Sequence, residues 1–201
     1  RYFQGHPFLR HWICLPLVMY MDNRKEGTLE ALFDRLWTDN GIRVELNPDL
    51  KDPDLFWDRG TLYAFRGAFR AGAADRGLAR LRSYSTTRLL GFHVPYVVEA
   101  WPEGNMAHLS AESALYCRII TEGILGIDAA GFDSFYLTPR LPTEWNFLEL
   151  SHMKSFGGDW TIRLDRMGNA YRLKVRNDTA IICDVRIREG EKVKIGKGKT
   201  D

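Results

Sequence analysis

The chain has 201 residues, 45% of them hydrophobic, which is enough for one large domain or two small ones with buried cores. Its 28 basic and 26 acidic residues leave a net charge of +2, and the positives are spread along the chain, which argues against a nucleic-acid partner. The longest apolar run, Trp12 to Met21, is about half of the ~20 residues a bilayer span needs and is interrupted by Pro16, so no membrane partner is expected.

Leu9 to Met21 is apolar nearly all round and predicts a helix buried on several sides. Thr28 offers an N-cap for a second helix, whose Leu29, Leu32, Phe33 and Leu36 fall at amphipathic spacing. After the loop "NPDLKDPDLFWDRG", Leu62, Phe65 and Phe69 form the stripe of a third helix that Gly72 ends. Asp75 can cap a fourth, with Leu78 and Leu81 inward and the arginines Arg76, Arg80 and Arg82 making a solvated outer face. A fifth helix runs from Ser110 through Ala111, Leu115, Ile119 and Ile120.

Near Gly131 the texture changes from helical spacing to alternation. Phe132, Phe135 and Leu137 predict a short strand ended by prolines, and "FLELSHMKSF" alternates imperfectly, as a bulged strand would. Trp160, Ile162 and Leu164 should pair with Tyr171, Leu173 and Val175 across a turn at Gly168 and Asn169. A final hairpin is expected to turn at Glu189 and Gly190. The expected fold class is α+β in two segregated parts: antiparallel helical hairpins over residues 1–130 and a small antiparallel β-sheet or sandwich over 131–201.

Cys14, Cys117 and Cys183 lie far apart and predict reduced thiols. The histidines His6, His11, His93 and His108 share no metal-ligand spacing, and neither a Gly-rich phosphate loop nor a nucleophile elbow appears, so no metal and no cofactor is expected. No export signal is visible in the first residues.

The chemistry concentrates in "HVPYVVEAWPEGNMAHLSAE", His93 to Glu112, which carries three carboxylates, two histidines, a tyrosine and a tryptophan. A surface loop has no need of Tyr96, Trp101 and Met106, so the segment is expected to line a cleft. Aromatic faces that stack on pyranose rings, beside carboxylates that move protons, suit a sugar-processing site. Glu112, in the first turn of the fifth helix, is explained by the helix dipole, and Glu103 precedes Gly104 in a turn. Glu99, after the apolar "YVV", is the carboxylate best placed against a wall. Trp57 and Trp101 could equally fill gaps between helices, and Arg59 could simply pair with Asp58.

"FWDRG", then "EAWPEG" and "HLSAESALY", together with "LPLVMYMDNRKEGTLEALFDRL" and "TEGILGI", resemble in their order the last part of an (α/α)6-barrel glycoside hydrolase of the six-hairpin superfamily. The resemblance implies an incomplete α/α toroid followed by a β-domain, and an inverting glycosidase acting on a carbohydrate substrate. It gives Glu99 the role of general base and Trp57, Arg59, Trp101, Glu103 and His108 roles at the sugar. It also implies that the general acid, and the rest of the barrel, lie outside this sequence, so that the chain alone is inactive. Asp58, which splits Trp57 from Arg59, departs from the family pattern, as do Tyr63 and Trp101. A lyase or phosphorylase of the same toroidal class and a non-catalytic carbohydrate-binding or interaction module are the alternatives.

Overall fold

The computed structural model describes residues 8–47, 49, 55–89, 100–101 and 110–196. The chain divides into two compact units, Arg1–Gly123 and Ile124–Asp201.

The first unit opens with strand β1 (Leu9–Arg10), a 3-10 turn (His11–Cys14) and a single helical turn, α1 (Leu15–Val18). The long helix expected over Leu9 to Met21 is therefore broken up. Pro16 has no N–H to return to residue 12, so it can only sit in the first turn of a helix, and that is where it lies. Helix α2 (Lys25–Glu30) starts ahead of Thr28 and widens into a π-helical turn, Ala31–Leu36, whose Leu32, Phe33 and Leu36 are buried. Next come the two-residue strands β2 (Trp37–Thr38), β3 (Gly41–Ile42), β4 (Glu45–Leu46) and β5 (Phe56–Trp57). β2 and β3 form a hairpin, and β1 pairs with β4 so that Arg10 faces Glu45, their side chains joined by a 2.7 Å ion pair. Helices α3 (Asp58–Arg70) and α4 (Ala74–Leu89) follow, the latter with Asp75 inside its first turn rather than at the cap. β6 (Ala100–Trp101) pairs antiparallel with β5, and α5 (Ser110–Arg118) runs into a second π-helical turn, Ile119–Ile124.

Helix α3 is the centre of this unit. Of its residues Asp58 to Arg70, all are buried except Arg59 and Tyr63. Burial on so many faces needs close neighbours, and glycines provide the room. A side chain at Gly60 would collide with the His11 ring, and one at Gly67 would lie 3.0 Å from Leu17 and 3.2 Å from the Cys14 carbonyl. Gly60 and Gly67 are seven residues apart and share the face on which the His11–Val18 segment rests. Phe65 and Phe69 fill the other side, Phe65 against Trp37 and Tyr84.

The second unit contains β7 (Asp128–Ala129), β8 (Ser134–Leu137), β9 (Phe147–Ser155), β10 (Gly158–Met167), β11 (Ala170–Asn177), β12 (Ala180–Arg188) and β13 (Val193–Gly196). They form an antiparallel sheet of order β12-β11-β10-β9 and a smaller one of order β13-β8-β7. The hairpin expected around Gly168 is present, with Ile162 opposite Val175 and Leu164 opposite Leu173. β9 bulges where Ile162 pairs with Leu150 but Trp160 with Met153, and His152 there takes a φ of 56°. Phe135 of one sheet meets Trp160 of the other edge to face at 5.1 Å. Two expectations fail here. β13 pairs with β8 rather than β12, because Val193 and Ile195 are buried opposite Leu137 and Phe135. Phe132 is fully exposed.

The expected fold class needs correction. Among the described residues no ring of helical hairpins forms. Short helices alternate with two-residue strands in the first unit, and helix and strand take comparable shares of the chain. No described helix is long and apolar enough to cross a membrane.

Trp160 is completely buried, whereas Phe147 is 55% exposed. Trp160→Ala is expected to lower stability by about 3–5 kcal/mol and Phe147→Ala by less than about 0.5 kcal/mol in urea unfolding.

Candidate functional site

On a helix buried almost all round, the residues left open mark where something else can approach. Arg59 and Tyr63 lie one turn apart on the same face of α3. Beside them stand two half-buried tryptophans. Trp57, in the extended residue that caps α3, packs edge to face on Trp12 with centroids 6.1 Å apart, and Trp12 lies 6.2 Å from Tyr63. His11 closes the cluster from below, 4.2 Å from Trp12 and 5.7 Å from Trp57.

Hydrogen bonds hold this wall in place. Thr61 donates to the Trp57 carbonyl at 3.0 Å and accepts from the Ile42 amide at 3.0 Å, which locks the first turn of α3 to the β2–β3 hairpin. The pairing of Phe56 with Trp101 and of Trp57 with Ala100 attaches β6 to the same point. His11 is buried, and its Nδ1–H donates to the Val44 carbonyl at 2.7 Å. Burial, helped by the neighbouring Arg10 charge, pushes its pKa below the usual histidine range. The ring is therefore neutral, with Nε2 as an acceptor that finds no hydrogen-bond partner among the described residues.

Two arginine–carboxylate pairs hold α3, one at the wall and one on the side of the helix that carries Phe65 and packs on Tyr84. Arg59 Nε donates to Glu112 Oε1 at 2.8 Å, with Glu112 wholly buried and the Arg59 side chain 36% exposed. Arg88 Nη2 donates to Asp58 Oδ1 at 3.1 Å and to the Asn40 carbonyl at 3.2 Å. Asp58 is also wholly buried. Desolvation dominates its titration and raises the pKa to about 6, against the pull of Arg88 and with a push from Glu112. The Tyr84 hydroxyl faces this carboxylate without the alignment of a full hydrogen bond. The second oxygens of both carboxylates, Asp58 Oδ2 and Glu112 Oε2, have no hydrogen-bond partner among the described residues. By its pKa Asp58 resembles a general acid, but its burial keeps it from substrate, so its work is to hold α3 in place.

Of the site residues expected from sequence, the structure brings Trp57 and Arg59 to one wall and places the backbone of Trp101 beside it. Glu99, Glu103 and His108 lie outside the described residues, as does His93. His11, Trp12 and Asp58 were not anticipated as part of it, and Glu112 is a tertiary partner of Arg59 rather than only a complement to its helix dipole. The available signal was a histidine set inside an apolar run beside a tryptophan.

Other candidates are weaker. Among the described residues no group of three or more His, Cys, Asp or Glu gathers as for a metal. Burial pushes the Cys14 thiol up to about 12, which makes it a poor nucleophile. A groove of about 980 Å³ in the second unit is lined by exposed Arg186, Arg188, Glu189 and Glu191, but its carboxylates serve the local fold, accepting from Tyr171 and the Arg188 amide.

No protein-family model matches the sequence, and no curated protein does. Together with the lack of a toroid among the described residues, this overturns the resemblance to six-hairpin glycosidases. The expectation that the general acid lies outside this sequence rested on that toroid and loses its footing.

Asp58 supplies a pH test. Its pKa is higher folded than unfolded, so its contribution to stability is complete below about pH 4 and is lost as pH rises through about 6. Urea unfolding from below about pH 4 to above about pH 6 should show a fall on the order of 3 kcal/mol that Asp58→Asn removes. Arg88→Met, which leaves Asp58 buried without that cation, should cost about 3–5 kcal/mol at pH 7. An unchanged pH slope in Asp58→Asn would contradict the assignment.

Proposed function

We propose that the first unit forms part of a carbohydrate site that hydrolyses a glycosidic bond by inversion, with Glu99 as general base. The observation that carries this reading is the half-buried wall of Trp12, Trp57, Tyr63 and Arg59 on a unit that otherwise buries its central helix. Aromatic rings present flat apolar faces to the C–H faces of a pyranose, while an arginine held by a carboxylate offers fixed donors to its hydroxyls. Glu99 immediately precedes Ala100, whose strand pairs with Trp57, and this adjacency in sequence supports the choice of base. An inverting base must stay ionised and hold a water opposite the scissile bond while a separate general acid protonates the leaving oxygen; Asp58 and Glu112 are buried and paired with arginine, so that acid must be another residue.

A second reading, sugar binding without cleavage, is favoured by one observation. Asp58 and Glu112, the carboxylates described at the wall, are both buried and paired with arginine.

Titration of the chain with oligosaccharides, followed by tryptophan fluorescence and by reducing-sugar release, separates the two. Trp57→Ala is expected to abolish saturable binding. Glu99→Gln is expected to keep binding and lower hydrolysis by about 10²–10⁴-fold. Binding without turnover in the native chain would favour the second reading, and saturable binding that survives Trp57→Ala would remove this wall from the site.

A further inference from the structure

Resting on the carbohydrate reading, we propose that Arg118 forms a subsite beside the wall for an anionic group on the sugar, a uronate carboxylate or a sulfate ester. The observation is a shared carboxylate. Glu122, in the second π-helical turn, accepts from two guanidiniums at once: Arg66 Nη2 meets its Oε2, while Arg118 reaches Oε1 through Nε and Oε2 through Nη2, the latter at 3.0 Å. Two cations on one carboxylate leave a surplus positive charge there among the described residues. Arg59 differs, being paired with Glu112. An i,i+4 pair with Glu122 would by itself explain Arg118 as ordinary helix surface. Arg66 changes that, because it already meets the same carboxylate from the more buried side.

The surplus is felt locally and is open on one side. Burial lowers the Arg66 pKa, Glu122 opposes this, and the nearby Arg118 and Arg70 charges add to the lowering. With only 10% of its side chain exposed, Arg66 fixes Glu122 from within rather than meeting a ligand. The Arg118 side chain is 42% exposed, and its bonds to Glu122 use Nε and Nη2, which leaves Nη1 for another acceptor. A guanidinium is always charged, and its planar fork of donors suits a carboxylate or a sulfate. Placement links this cation to the wall. Tyr63 lies three residues before Arg66 on the same face of α3, and it is close enough to both Arg66 and Arg118 to bear on their titration. The same ring lies 6.2 Å from Trp12. An acidic substituent on a pyranose seated against Trp12 and Tyr63 therefore meets the charge that Glu122 leaves half balanced.

Matched sugars test the proposal: the methyl glycosides of glucose, glucuronic acid and glucose 6-sulfate, and their galactose counterparts, titrated into the native chain by calorimetry at low and at high salt. At least one acid is expected to bind about tenfold more tightly than its neutral parent at low salt and to lose much of that advantage at high salt. An advantage confined to the uronates or to the sulfates supports the subsite and names its group. Arg118→Gln keeps the Arg66–Glu122 pair and should bring acid and neutral sugar to similar affinity. Neutral parents that bind as tightly as their acids overturn the proposal while leaving the carbohydrate reading intact, and so does an acid advantage that survives in a folded Arg118→Gln. Failure of every glycoside to bind overturns the carbohydrate reading and this proposal with it. If Arg118→Gln does not fold, the native-chain comparison and its salt dependence decide by themselves.

Discussion

Burial of α3 on nearly all sides is the constraint from which the first unit follows. A helix with one apolar stripe needs one neighbour, but Asp58 to Arg70 is covered by the His11–Val18 segment, Trp37, Tyr84, α5 and the turn at Gly123. Covering a helix that carries Asp58, Arg66 and Arg70 means that each charge must be satisfied in place. Arg88 meets Asp58, Glu122 meets Arg66, and Arg70 donates to the Val18 carbonyl at 2.6 Å and lies over the Tyr20 ring. These contacts join elements that are distant in sequence, and they explain why the helix holds its position although its cover is made of short pieces.

The same constraint gives the wall its character. With the other positions committed to packing, Arg59 and Tyr63 are where α3 can be approached, and the turn that leads into it brings Trp57 against Trp12. The arginine cannot swing freely because Glu112 holds it from a neighbouring helix. Rigid aromatics beside an oriented, charge-compensated guanidinium make a surface suited to flat, polar ligands with apolar faces. The second unit is built differently, as two antiparallel sheets whose core is fixed by alternation and by Trp160 against Phe135. Its exposed charges form ladders such as Glu149–Arg163–Asp165 and serve the surface rather than a site.

Legibility in the sequence followed the range of the interactions. The spacing of Leu62, Phe65 and Phe69 and the alternation around Gly168 are local, and both elements appear where they are expected. Two-residue strands such as Phe56–Trp57 carry no period, so the mixed character of the first unit could not be read. The long first helix fails at Pro16, a signal that was visible but outweighed by the apolar run. Glu112 shows the limit at the site: a carboxylate in a first helical turn has a sufficient local explanation, and nothing local says that an arginine 53 positions earlier will take it. Asp58 looked like an interruption between Trp57 and Arg59, yet it is buried against Arg88 while its two neighbours stay half-buried at the wall. The family resemblance rested on motif order, and order alone did not carry the fold.

The most direct measurement is the indole N–H resonances of the six tryptophans during titration with a neutral oligosaccharide. The account predicts that Trp12 and Trp57 shift together and saturate at the same concentration, while Trp37, buried behind α3, and Trp160, in the core of the second unit, stay in place. Shifts confined to Trp145 and Trp160 would move the site to the second unit and contradict the account, and so would a titration in which Trp12 and Trp57 do not respond.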